Sequence, residues 1–148
     1  EPGPMAVGDW TSASGAAAFA QILEADPAVD ALFAASDQMA LGAMHVANAR
    51  GIRIPEQLAV VGFDGLPEAA EFTPSLTTIR QPLQEIGRLA VEELVASFGT
   101  ETGPVPRTVL LPTELVLGDS APLATTGTTG AAAHRVASRA SRRATAVT

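Results

Sequence analysis

The sequence predicts an α/β fold, a parallel sheet flanked by helices, on three observations. Short apolar runs such as "DALFAAS" and "LAVVGFD" suit strands buried on both faces. Amphipathic stretches of roughly ten to fifteen residues lie between them, long enough for crossover helices. Proline and glycine punctuate the boundaries. With 148 residues, 47% hydrophobic and 17% charged, the chain has apolar material for one core and one domain at most.

The elements follow in order. "TSASGAAAFAQILEA" reads as a helix, with a hydroxyl N-cap at Thr11 or Ser12 and apolar residues Ala18, Ile22 and Ala25 at helical spacing. "DALFAAS" is a buried strand. From Asp37 a second helix carries Met39, Leu41, Met44, Val46 and Ala47 and stops at "ARG", residues 49–51. "IRIPEQ" is a proline turn. "LAVVGFD" is the next buried strand, "GLPEAAEF" at most two helical turns, and "TPSLTTIRQP" an extended β-branched stretch. Pro82 opens the clearest helix, in which Leu83, Ile86, Leu89, Ala90, Leu94 and Val95 form one face and Gly99 marks the end. "RTVLLPTELVLG" gives two short extended pieces broken by Pro112. Residues 121–148, poor in large apolar side chains and rich in Ala, Thr, Ser and Gly, are expected to form a disordered tail.

Composition excludes several function classes. The absence of cysteine removes disulfides and thiolate metal sites, and two histidines, His45 and His134, do not make an ordinary zinc set, so no metal and no cofactor are expected. No apolar run approaches the roughly 18 residues that span a bilayer, and "EPGPMAVGDW" lacks the basic and apolar regions of a signal peptide. The expectation is a soluble chain of cytoplasmic type without a membrane partner. Up to Gly118 five arginines face fifteen acids, a formal charge of −10, which repels phosphate; the remainder has four arginines and one acid, +3. No nucleophile elbow, dinucleotide fingerprint, phosphate loop or zinc-protease motif is present, so a binding module is favoured over an enzyme.

In open parallel sheets, ligands bind beyond the carboxyl ends of strands. Asp37 and Asp64 fall there, and each carboxylate can accept two hydroxyl hydrogen bonds from a polyol. For Asp37, helix capping by Ser36 or Asp37 is the stronger explanation; for Asp64, an Asp-Gly turn and a ligand contact weigh evenly. Trp10, the sole tryptophan, stands just ahead of a helix, where an indole face can cover the C–H face of a sugar ring or simply pack on the core.

Taken together, "GDWTSASGAAAFAQIL", "DALFAASDQMALGAMHVANARGIRIPEQLAVVGFDG", "FTPSLTTIRQPLQEIGRLAVEELV" and "TVLLPTELVLGDS" resemble the effector-binding domain of the lactose/galactose repressor (LacI/GalR) transcription regulators. "SDQMALGAM", "VVGFD" and "LTTIRQP" in this order carry most of the specificity. The resemblance implies a type I periplasmic-binding-protein-like sensor domain of two subdomains, with an effector, usually a sugar or nucleobase, in the cleft. It implies effector contacts at Trp10, Ser36, Asp37, Asp64 and Gln81, and a homodimer surface at Leu41, Met44 and Phe72. It further implies a partial domain over residues 1–120. Most of that stretch is C-terminal subdomain, and about 82–107 belongs to the N-terminal one. Operator DNA would be contacted through a headpiece absent from this chain. So truncated, the isolated chain is expected to be marginally stable and to bind effector weakly or not at all. The alternatives are a periplasmic sugar-binding protein of a transport system, disfavoured by "LTTIRQP" and the lack of an export signal, and a fragment without independent function.

Overall fold

A computed structural model describes residues 3–98, 108–123 and 144–147. Its elements are β1 (Met5–Ala6), α1 (Ser12–Ala25), β2 (Ala31–Ala34), α2 (Asp37–Ala49), β3 (Ala59–Asp64), a short 3₁₀ turn (Pro67–Glu71), β4 (Thr77–Arg80), α3 (Leu83–Ser97), β5 (Glu114–Val116) and β6 (Ala144–Val147). They build a mixed α/β architecture around one sheet of order β1-β6-β2-β3-β4-β5. Every neighbouring pair is parallel except β4 with β5, which is antiparallel.

Each boundary has a local cause. The Thr11 hydroxyl caps α1 by accepting from the Ser14 N–H at 3.1 Å, and Ser36 caps α2 by accepting from the Met39 N–H at 3.2 Å. Past α2 the chain turns at Gly51, whose φ of +69° is costly for a side chain with a Cβ. The far side of the sheet is pinned by Ser120, whose hydroxyl donates to the Val60 carbonyl at 2.6 Å and accepts from the Thr77 N–H at 2.9 Å.

The core lies where α1 and α2 pack on the sheet. Phe19, Ile22, Met39, Met44, Leu58 and Val60 are fully buried or nearly so. The two helices cross at glycines: a Cβ on Gly15 would strike the backbone of Met39, and one on Gly42 the carbonyl of Ser12. That close approach lets alanines fill the seam at native density.

Three expectations need correcting. Ala25 is exposed, and Phe19 and Leu23 complete the buried face of α1 instead. Met44, a candidate for the dimer surface, is 2% exposed and belongs to the core. The apolar face of α3 is legible in sequence and stands uncovered, with no α3 side chain buried: Leu83, Leu94 and Val95 are all exposed. Arg88 bridges Glu85 and Glu92 along this helix, giving it local support. Of the expected disordered tail, residues 144–147 form β6 inside the sheet, while 124–143 lie outside the described residues. Gly99 and Arg107 also lie outside them.

Two glycine substitutions separate the packed seam from the open helix. Gly42→Val should lower the unfolding free energy by about 2 kcal/mol or more through overpacking. Gly87→Ala, where an added Cβ meets nothing within 4 Å, should raise it by about 0.5–1 kcal/mol. Urea denaturation of the two variants beside the parent chain measures both.

Candidate functional site

Because β1, β2, β3 and β4 run parallel, the residues that follow them emerge at one edge of the sheet. Trp10 follows β1, Ser36 and Asp37 follow β2, Asp64 ends β3 and Gln81 follows β4. The sequence-predicted effector residues therefore share one rim, but they divide into two sets.

Asp64 and Gln81 form the outward set. The Gln81 side-chain amide donates to Asp64 Oδ1 at 3.0 Å, and the Gln81 backbone N–H donates to the Asp64 carbonyl at 3.4 Å. Asp64 has a φ of 113°, unusual for a residue with a Cβ. Partial burial raises its carboxyl pKa above the usual aspartate value; the Gln81 hydrogen bond opposes that rise and the Asp37 charge adds to it.

Asp37 belongs to the inward set. It is 0% exposed and both oxygens are taken: the Thr78 hydroxyl donates to Oδ1 at 2.5 Å and the Leu66 N–H to Oδ2 at 2.7 Å. Gly62 backs this carboxylate so closely that a Cβ there would overlap Oδ1. The Thr78 hydroxyl also accepts from the Gly65 N–H at 3.3 Å, which fixes the turn after Asp64. Ser36 is likewise buried, its oxygen engaged in the cap of α2. This corrects the expectation of effector contacts at Ser36 and Asp37: short side chains at a buried helix start reach the backbone first. Ser36 takes the Met39 and Ala40 N–H groups, and the buried Asp37 carboxylate in the first turn makes the start of α2 unfavourable for a bound anion.

Trp10 is 64% exposed and has a φ of 72°. Asp9, which the sequence reading passed over, shapes its loop. Asp9 Oδ1 accepts from the Thr11 hydroxyl at 2.6 Å and the Thr11 N–H at 3.1 Å, and the Asp9 N–H donates to Ser14 Oγ at 2.9 Å. The Thr11 hydroxyl, and next Ser14, hold the Asp9 carboxyl below the usual range. The Asp-Trp-Thr-Ser spacing, an Asx turn running into an N-cap, was the available signal. Gly8 lies against the Met39 thioether, seating this loop on the first turn of α2. Positive φ at both Trp10 and Asp64 costs about 1–3 kcal/mol each, strain that clusters at binding sites. No group of His, Cys, Asp or Glu among the described residues has the arrangement of a metal site.

An exposed indole, an aspartate with one oxygen unengaged by the described hydrogen bonds, and a fixed amide suit a ligand with both C–H faces and hydroxyls. A family model described as "Periplasmic binding protein-like domain" matches residues 2–121. The chain belongs to that family. The chain is 40% identical over 116 residues to the HTH-type transcriptional regulator CelR of Thermobifida fusca, which covers 78% of this chain and 34% of the relative. A solved "transcriptional regulator CelR-cellobiose complex" superposes with a TM-score of 0.65 at 40% identity, over 76% of this chain and 34% of that one. A lac repressor dimer bound to operator and the anti-inducer ONPF gives a TM-score of 0.68 at 34% identity, over 77% and 39%. The chain thus spans about a third of the length of the curated relatives it matches. No helix among the described residues of this periplasmic-binding-protein-like domain is long and apolar enough to cross a membrane.

The Asp64 carboxyl gives a direct titration test. Its midpoint should lie above the ordinary aspartate value. Gln81→Ala should push it higher by removing the hydrogen bond to the carboxylate, and Asp37→Asn should bring it down by removing a neighbouring negative charge. A raised folded pKa means the Asp64 contribution favours the fold at acid pH. That contribution is lost as pH rises from the unfolded value through the folded one. Carbon-detected NMR of the carboxyl resonance, read alongside stability against pH, measures both.

Proposed function

We propose that this chain is part of the effector-sensing and dimerising unit of a sugar-responsive transcriptional repressor. The carrying observation is the Asp64–Gln81 pair, held in a strained backbone on the same sheet rim as an exposed tryptophan, in a member of the periplasmic-binding-protein-like family. In this reading the Asp64 carboxylate accepts effector hydroxyls, Gln81 orients that carboxylate, and Trp10 covers the C–H face of the ring. Ser36 and Asp37 act behind them, holding the turn from which Asp64 projects.

Leu41, 37% exposed on α2, and Phe72, half-buried after the 3₁₀ turn, are the apolar residues we assign to a homodimer surface. The uncovered face of α3 fits the assignment of residues 82–107 to the other subdomain of a longer protein, which would supply the opposite wall of the cleft. Operator DNA is met by a headpiece elsewhere in that protein, in the cytoplasm, and the unit performs no catalysis. Effector binding shifts the balance between two subdomain arrangements by its differential affinity for them.

In the longer regulator, Asp64→Asn should weaken binding of the responsive sugar at least about tenfold while leaving operator affinity unchanged. Calorimetric titration with a panel of mono- and disaccharides including cellobiose, run beside a mobility-shift assay, measures the two quantities separately. Unchanged sugar affinity and induction in the Asn variant would sink the assignment.

A further inference from the structure

The ends of β4 and β5 meet at a cross-strand ion pair. Arg80 is the last residue of β4 and Glu114 the first of β5, and the antiparallel register sets them opposite each other. The Arg80 guanidinium donates from Nη1 to Glu114 Oε2 at 3.2 Å, with 50% of one side chain and 68% of the other open to solvent. An exposed pair of this kind adds only about 0–1 kcal/mol to stability and is screened by salt, so its chief effect is to aim the arginine. The stem it aims lies across the turn that follows Asp64. A Cβ added at Gly65 would come within 2.6 Å of Arg80 Cβ and 2.8 Å of its Cγ, and Gly65 has a φ of +73°. Glycine is therefore needed at 65 both for the turn and for the close approach of the stem.

We propose that Arg80 is a positioning residue for the effector site: its aliphatic stem clamps the Asp64–Gly65 turn, and Glu114 on the returning strand holds that stem in place. The hydrogen bonds at this turn include long ones, from the Gly65 N–H to Thr78 Oγ1 at 3.3 Å and from the Gln81 N–H to the Asp64 carbonyl at 3.4 Å. Bonds of that length are weak, and the positive φ of Asp64 works against the turn they close, so packing by the stem supplies the missing constraint. The guanidinium does not act on the Asp64 carboxyl directly, because the ionisation of that group responds to burial, Gln81 and Asp37. The influence of Arg80 passes through the backbone. Since β5 is the strand by which the chain returns to the sheet after α3, a shift of β5 along β4 would move the stem and loosen the effector residues with it. The consequence for effector binding rests on the reading of Asp64 given above; the clamp on the turn does not.

Native-state hydrogen exchange on the longer regulator without ligand tests the clamp, and calorimetric titration with the responsive sugar tests its consequence. Arg80→Ala should speed exchange of the Gly65 and Gln81 amides at least about tenfold while the Val60–Phe63 amides of β3 keep their rates. Glu114→Gln should speed the same two amides less, and the double variant Arg80→Ala with Glu114→Gln should exchange no faster than Arg80→Ala alone. Arg80→Lys keeps a long stem and a charge for Glu114, and the pair uses one nitrogen, so its exchange should stay within about twofold of the parent. Sugar affinity should follow the turn, falling about three- to tenfold in Arg80→Ala and staying near parental in Arg80→Lys. An equal rise in Val60–Phe63 exchange would mark a general loss of stability, and unchanged exchange at Gly65 and Gln81 in Arg80→Ala would mean no clamp; either result overturns the proposal. So does faster exchange with unchanged sugar affinity in a regulator where Asp64→Asn weakens binding. If Asp64→Asn leaves sugar affinity unchanged, the site reading fails by itself and the exchange rates still decide on the clamp.

Discussion

A buried, fully hydrogen-bonded carboxylate organises the functional rim. Asp37 begins α2, receives the Thr78 hydroxyl from β4 and the Leu66 N–H from the turn after β3, and rests on Gly62 of β3. One side chain thereby ties a helix to two strands and a loop. An unpaired carboxylate at this depth would be strongly disfavoured; two short hydrogen bonds and the adjoining helix N-terminus offset that cost. The arrangement demands a hydroxyl at position 78 and no side chain at position 62, and the sequence supplies Thr and Gly.

This constraint gives the rim its geometry. Thr78 passes the fixation on to Gly65, and with Leu66 also held the turn around Asp64 has little freedom. Asp64 accordingly keeps a φ that its Cβ disfavours, and its carboxyl reaches Gln81. On the other side of α2, Met39 packs beneath Gly8 and Gly15, seating α1 and the Trp10 loop on the same helix start. The two strained residues thus flank the first turn of α2, Asp64 held by hydrogen bonds and Trp10 by the Asp9 hydrogen bonds together with packing on Met39. A site so preorganised spends less of its binding energy on ordering when an effector arrives.

Much of the scaffold was legible because strands buried on both faces read as apolar runs, and the helices between them carry caps at Thr11 and Ser36. The rim was legible in position, since chain ends of parallel strands identify themselves, but not in role. A serine-aspartate pair at a helix start reads the same whether its oxygens face a ligand or Thr78, which lies 41 residues away in sequence. The α3 face was plain from its period, whereas what it covers is not encoded in that period. β6 was invisible for the opposite reason: Ala-Thr-Ala-Val in a small-residue tail carries no strand pattern, and only pairing across more than a hundred residues makes it one.

The dependence of the rim on Asp37 is most directly measured by a double-mutant cycle on sugar affinity in the longer regulator. Asn at position 37 has one acceptor where two donors point, so Asp37→Asn should weaken binding without touching the ligand. If Asp37 acts only by placing Asp64, the double variant Asp37→Asn with Asp64→Asn should bind no more weakly than Asp64→Asn alone. Losses that simply add, or an Asp37→Asn variant that binds like the parent, would contradict the account.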